Sequence, residues 1–391
     1  MKTKLSLAVA SALLAAASSA NAGIIIPAGD WTLDIGGVVN AYYTSTRVTG
    51  DAVNFQSGTS STGTRTVSNI TTGLLPNYLS VSGKTRQNDL DVAFTISINP
   101  GASTTGSGRQ GSQQENRQAF LTFGDKSWGS IKLGKDLGIY ASDAILNDMT
   151  LLGVGSAAGS LAGNTTTLGR IGSGFMYADW KSQVAYTSPN WNGFSFTAGV
   201  TQSWDPASVL NGGVGGFARG GSEPAYEGKV SYEWAGDFAG KVWASGISQN
   251  VEAFDDTASA LDVGATVNVA GFGLTGYYNQ GEGTGTTVLF NGGYDAFGNA
   301  RDSKDWYVQG TYTIPGVGTK LGVSYGESEL EYNSNEGATD DYEQKMWTVG
   351  AYHPLTKHLN LVAEYSHSKA EDTGDLNGKS KTIALGAILF F

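Results

Sequence analysis

Cysteine is absent from the 391-residue chain. That excludes disulfide staples, thiolate metal sites and cysteine nucleophiles. Charge is sparse: Asp, Glu, Lys and Arg make up 15%, against about 25% in soluble globular proteins. The apolar fraction, 40%, is also low beside the usual share of about 45–50%. Histidine occurs three times, too thinly for a His-based centre, so no metal and no cofactor is expected. The net charge of −11 gives no basic face for nucleic acid. After the first residues no run of about 18 apolar residues exists, so no helix is long enough to span a bilayer.

What is there instead is 56 Gly, many Ser, Thr and Asn, and a full set of aromatics: 9 Trp, 18 Tyr and 15 Phe. The N-terminus carries an export signal. Lys2 and Lys4 precede an apolar, small-residue run from Leu5 to Ala17, and Ala20-Asn21-Ala22 fits a small-x-small cleavage site. Cleavage after Ala22 would divide the chain into a signal peptide, 1–22, and a mature protein, 23–391. The mature part has 22 basic and 35 acidic residues, a net charge of −13.

The mature chain alternates at period two, the signature of strands. Trp31, Leu33, Ile35, Gly37, Val39, Ala41 and Tyr43 share one face; Thr32, Asp34, Gly36, Val38, Asn40 and Tyr42 share the other. The pattern returns at Leu90–Ile98, Leu261–Val269, Trp306–Tyr312 and Ile383–Phe391. A soluble sandwich would also alternate. A lipid-facing barrel is favoured by strands of about 9–11 residues and by aromatics at strand ends. It is favoured too by a strict alternation of short and long connections. Short turns fall near Lys84–Asp89, Asp125–Gly129, Pro189–Gly193, Gly236–Gly240, Ala270–Phe272, Pro315–Gly318 and Leu355–His358. Seven such turns and two terminal strands predict a closed, all-β, 16-stranded antiparallel transmembrane barrel, because lipid cannot satisfy an open edge.

One connection is out of proportion. The turns centred near 127 and 191 are 64 residues apart, and the interval holds a loop at about 135–179 with no clean strand pattern. Its apolar residues, Leu146, Met149, Leu151, Leu152, Val154, Leu161, Leu168, Ile171 and Phe175, must pack against something. A wide barrel offers its own lumen; the alternative is a flap folded over the outer rim.

At this point the chain resembles the trimeric general porins of Gram-negative outer membranes. Arg117-Gln118-Ala119-Phe120-Leu121-Thr122-Phe123-Gly124 and Trp128-Gly129-Ser130-Ile131-Lys132-Leu133-Gly134-Lys135 are similar to the family's stretch before its constriction loop. Val184-Ala185-Tyr186-Thr187-Ser188-Pro189 resembles the "VRYDSP" of β-proteobacterial members, and terminal Phe391 their C-terminal assembly signal. The resemblance implies a homotrimer in outer-membrane lipid and lipopolysaccharide, passing small hydrophilic solutes and ions by passive diffusion. It also implies a third loop that enters the lumen with acids facing a cationic wall. Arg117 matches a ladder arginine, and Lys135 stands where relatives usually carry Arg. Ala185 replaces an Arg, and the loop's acidic tip is thin, with Asp143 and Asp148.

Alternation independently points Lys132 and Lys181 inward. The expected constriction therefore comprises Arg117, Lys132, Lys135, Asp143, Asp148 and Lys181. Asp34, Asp91, Asp262, Asp305 and Glu364 also point inward by parity, with nothing tying them to the constriction. Acidic pairs such as Asp255-Asp256 and Asp340-Asp341 fall on expected external loops, where solvated charge is the default and Ca²⁺ the alternative. A substrate-specific channel for sugars or an anion is a rival reading, kept open by the inward Tyr42, Tyr277 and Tyr307. A barrel hydrolase is a poorer one. Ser366 and His367 are neighbours, so a strand sends them to opposite faces, and no nucleophile motif is present.

Overall fold

The alternation becomes a wall. The computed structural model describes residues 23–51, 63–102, 114–155, 170–204 and 223–391. The expected signal peptide, and Leu161 and Leu168 of the long loop, lie outside them. The strands are β1 (Ile24–Ala28), β2 (Trp31–Gly50), β3 (Arg65–Thr71), β4 (Tyr78–Gln87), β5 (Leu90–Pro100), β6 (Gln114–Asp125), β7 (Gly129–Leu137), β8 (Trp180–Thr187) and β9 (Phe194–Thr201). They continue with β10 (Ala225–Trp234), β11 (Phe238–Val251), β12 (Asp256–Val269), β13 (Phe272–Glu282), β14 (Asp302–Thr313), β15 (Lys320–Leu330), β16 (Tyr342–Pro354), β17 (Leu359–Asp372) and β18 (Leu376–Phe390).

Each strand pairs antiparallel with its chain neighbour, and β18 closes on β2 from Gly378↔Gly50 to Phe390↔Val38. Eighteen segments make sixteen wall positions. The lower half of β2 pairs with β4 and its upper half with β3, so those two share one position. β1 pairs with Trp31–Ile35 below the end of β18 and prolongs that strand's line. Phe391 completes the seam. Its amide donates to Gly37 O (3.1 Å), and its carbonyl accepts from Gly37 N (2.8 Å). Its ring covers Gly37, where a Cβ would lie 2.7 Å from a ring carbon.

The outward face is apolar where a soluble protein would be polar. Leu261, Leu274, Val323, Ile383 and Leu385 are all exposed. Side chains of this size exposed to water would each forfeit about 1.5–3 kcal/mol of burial; facing lipid they forfeit little. Aromatics ring the end with the short turns: Trp191 stacks on Phe194, Trp234 on Phe238, and Phe272 lies against Tyr312. No described helix is long and apolar enough to cross a membrane, so strands do the crossing.

All seven expected short turns are present, at one end. The opposite end departs from the strict alternation. The β11–β12 connection is 252–255 and the β17–β18 connection 373–375, both tight. Positive φ at Asp255 (53°), Gly374 (74°) and Asp375 (60°) makes these reversals. Polar residues that read as loop are there the upper ends of 14- and 15-residue strands. Strands of this length project beyond the bilayer, where the outer face meets water instead of lipid and the apolar signal fades.

Candidate functional site: the third loop in the lumen

β7 runs to Leu137, so the loop proper is 138–179 and Lys135 belongs to the wall. Gly138 N donates to Asp179 O (2.7 Å) and closes its base. The loop then crosses the lumen through a series of hydrogen bonds to inward-facing wall residues. Ile139 N and Tyr140 N both donate to Glu227 Oε2 on β10 (2.8 Å each). Tyr140 OH donates to Asn279 Oδ1 (2.7 Å), and Ala141 N to Ser245 Oγ (3.1 Å). Ala141 has φ 59°, a reversal that launches helix α1 (Ser142–Leu146).

Within the helix, Ala144 O accepts from Tyr307 OH (2.9 Å). Gln309 grips two points, accepting from Met149 N (2.9 Å) and donating to Asn147 O (2.6 Å). Tyr42 OH donates to Leu152 O (2.7 Å). Val154 N and Gly155 N both donate to Glu364 Oε2 (2.8 Å). The returning limb seats Gly174 N on Ser328 Oγ (2.9 Å) and Ser173 Oγ against Gln344 Nε2 (2.6 Å). Ile145, Leu151, Val154, Ile171 and Phe175 are buried in one apolar cluster with Tyr42, Tyr277 and Tyr307 of the wall. The loop thus lies in the lumen, not as a flap over the rim.

The charges pair differently from the sequence expectation. Asp143 lies against Lys229 Nζ (2.9 Å) on β10 and Lys241 Nζ (2.5 Å) on β11. Neither lysine stands out in the sequence, although both sit at inward parity between apolar neighbours. Burial would raise the Asp143 pKa, but the two ammonium groups outweigh it and hold the carboxyl below its ordinary value. Asp148 is buried, and among the described residues it makes no ion pair. Its carboxylate accepts from Thr150 N (2.9 Å) to cap the 3-10 turn Met149–Leu152. Burial raises its pKa, against the opposing pull of Arg170.

Lys132 does point inward, but it pairs with Asp136 one turn of pleat away. Lys181 points inward and is buried against Glu227 (2.6 Å), with side-chain exposures of 1% and 0%. Arg117 shares the outward parity of Ala119 and Leu121, beside a register shift at Ser97/Asn99, and its guanidinium stands 5.8 Å from the Trp180 ring. Lys135 also has outward parity and donates to Asn116 O (2.9 Å). Of the six expected residues, Asp143 and Asp148 are in the lumenal loop, Lys132 and Lys181 on the inner wall, and Arg117 and Lys135 on outward positions. No single cluster unites them.

Sequence reasoning missed Glu227, Lys229, Lys241 and Arg170, and left Glu364 unassigned. Parity signals the first three and Glu364 as inward, but nothing local says which inward charge meets the loop. Arg170 is fully buried on the returning limb, 5.1 Å from the Tyr307 ring. Among the described residues no group of three or more His, Asp or Glu could hold a metal.

A wall of sixteen strands carrying one inward loop is the architecture of a diffusion pore. The sequence matches the Gram-negative porin family over residues 8–373. The chain is a Gram-negative porin. The porin superposes on the outer-membrane channel DcaP of Acinetobacter baumannii with a TM-score of 0.67 at 17% identity, covering 95% of this chain and 100% of that one. Salmonella typhi OmpF, solved with daunomycin, gives 0.59 at 16%, covering 94% and 100%. The trimer form of Vibrio cholerae OmpT gives 0.54 at 15%, covering 92% and 99%. At such identities these neighbours support the fold alone. No curated protein matches the porin in sequence. The porin is thus an outer-membrane barrel and a channel for passive diffusion of small hydrophilic solutes; its short-turn end is periplasmic by the topology of such barrels.

Proposed function

We propose that the conducting path runs between the third loop and the wall of β4–β9, with its width and weak charge selectivity set by the loop. The observation that carries this is one-sided anchoring. The described hydrogen bonds from the loop to wall side chains go to β2 and β10–β17, and none goes to β4–β7. Across the gap stand inward, water-accessible side chains, among them Asp34, Ser82, Lys84 and Lys132. Aligned charges beside a narrow aqueous path bias ion entry. Here they nearly cancel: Asp143 faces Lys229 and Lys241, while Glu233 also draws on Lys241 (3.2 Å). Screening beyond a Debye length of about 8 Å removes most of the remaining net-charge effect. Lys229 and Lys241 take the constriction role first assigned to Lys181.

Single-channel recording under a salt gradient tests this. The parent should show a reversal potential close to zero. Lys229→Ala with Lys241→Ala should shift it toward cations, and an unchanged reversal potential would sink the assignment.

A passive channel needs no catalytic group. Ser366 lies inward beside Thr348 Oγ1 (2.9 Å), and His367 lies outward against Trp347 (5.9 Å between rings), so the adjacent pair cannot act together. The sugar-specific rival loses its platform, because Tyr42, Tyr277 and Tyr307 are 1%, 4% and 0% exposed beneath the loop. Assembly as a homotrimer suits the small outward Ala41 and Ala387 beside Leu385; Gly37 is taken by Phe391. The mass of the detergent-solubilised native protein tests it. A mature start at Gly23 suits a first strand that opens at Ile24, and N-terminal sequencing of the membrane form decides it.

A further inference from the structure

The second wall position is broken, and the break points into the lumen. β2 pairs with β3 as far as Tyr42↔Thr71 and with β4 from Val38↔Tyr78. Three residues of β2, 39–41, therefore stand opposite six, 72–77. An ordinary bulge adds one residue; this one adds three. All six, Thr72–Asn77, are buried.

Asn40 replaces the lost ladder. Its backbone amide donates to Asn77 Oδ1 (2.5 Å), its Nδ2 to Leu75 O (2.8 Å), and its Oδ1 accepts from Gly73 N (2.8 Å). An unpaired backbone group inside the wall would be costly, so one side chain that satisfies two of them stabilises a conformation the strand would otherwise reject. The segment then meets the third loop. Leu74 N donates to Gly153 O (2.8 Å). Leu74 and Leu75, 5% and 2% exposed, share an apolar cluster with Ile145, Leu151 and Val154. Gly73 makes the approach possible: a Cβ there would lie 2.5 Å from both Gly153 O and the Tyr42 ring.

We infer that residues 72–77 form a second constriction element. It is a latch that grips the third loop at Gly153 and so sets channel width together with it. The inference deepens the diffusion-channel reading and rests on it. The opposite end of the loop is held by charge and hydrogen bonds at Glu227 and Asp143. The 151–154 stretch has Tyr42 and Glu364 for its polar groups, and Leu151 and Val154 share their apolar cluster with the latch leucines as well as with wall residues such as Val38 and Val362. Removing the latch strips Leu74 and Leu75 from that cluster and the Leu74–Gly153 hydrogen bond from the loop, and gives the loop a new range of positions.

The test is a variant lacking Leu74, Leu75 and Pro76. It restores one residue of β4 for each of β2 and keeps the inward–outward parity. It is compared with Asn40→Ala in planar bilayers and in liposome swelling with sugars of increasing size. Folding is checked by heat-modifiable gel mobility. The folded deletion variant should conduct about 1.5-fold more than the parent or better, with noisier current, and admit larger sugars. Asn40→Ala should move the same way by less. If the deletion does not fold, Asn40→Ala decides. A folded variant with the parent's conductance and exclusion size overturns the latch. Absence of conductance in the parent itself would instead overturn the channel reading.

Discussion

The two sides of the lumen use polar residues for opposite purposes. On β10–β17 the inward groups are spent on the third loop. Glu227, Gln309 and Glu364 each hold two points of the system, and their own exposure is nearly lost. On β4–β7 the described inward groups make no hydrogen bond to the loop and pair among themselves, as Lys132 does with Asp136 and Ser82 with Thr95. Equal residue types at equal parity thus become structure on one side and pore lining on the other. What separates them is only whether a loop lies against them. A charge sealed under the loop, as Lys181 is, should govern stability, whereas a charge that still reaches water, as Lys229 and Lys241 do at 21% side-chain exposure, should govern ion flow.

The sharpest way to break this distinction is Glu227→Ala. It removes the acceptor of Ile139 N and Tyr140 N and leaves Lys181 buried without its counter-charge. Loss of one partner of a buried pair costs about 3–5 kcal/mol. A lower unfolding temperature of the barrel and a fluctuating, larger conductance are expected; a parent-like melting curve would refute the anchoring role.

Asp143→Asn comes next. It should free Lys229 and Lys241 and move the reversal potential toward anions with little change in melting. Acid should do the same to the parent. The carboxyl is held below its ordinary value, so the pairing is intact above about pH 4 and weakens as pH falls through the lowered value. Recordings stepped down to acidic pH should show the shift in the parent and not in the Asn variant.

Lys132→Ala acts on the open side. A small shift toward cations, clearest at low salt, should appear with a modest fall in unfolding temperature, since the pair is largely buried, 17% and 9% exposed, and Asp136 keeps Gln118 as a donor. Lys135→Ala is the smallest. Its side chain points outward, away from the lumen, and donates to Asn116 O. Conductance, selectivity and melting should all stay as in the parent, and a selectivity change would return Lys135 to the constriction.

The porin's fold was legible because lipid imposes its own pattern. Alternation gave the faces of β2, β5, β12, β14 and β18, and glycine- and aromatic-marked turns gave seven of the eight described reversals at the periplasmic end; the tight one at 29–30, between β1 and β2, was not legible. The tight connections at 252–255 and 373–375 were not legible. Above the membrane the outer strand face meets water instead of lipid, and a polar strand looks like a polar loop. The parity of Lys132, Lys181 and Glu364 was correct, yet their partners were not readable. Glu227 lies 46 positions from Lys181, and Glu364 lies 210 from Val154.

The sequence by itself therefore determined which residues face lipid, which face the lumen, how many times the chain crosses, and that one loop is so long and apolar that it must pack against something, the lumen or the rim. Those properties depend on neighbours one or two positions away. Tertiary structure alone decided that Asp143 meets Lys229 and Lys241, that Glu227 neutralises Lys181, and that three extra residues after Thr72 fold inward under Asn40. Each depends on where a flexible loop comes to rest against a closed wall. That resting place is set by packing and by the pairing of buried polar groups across the barrel, for which spacing along the chain carries no signal.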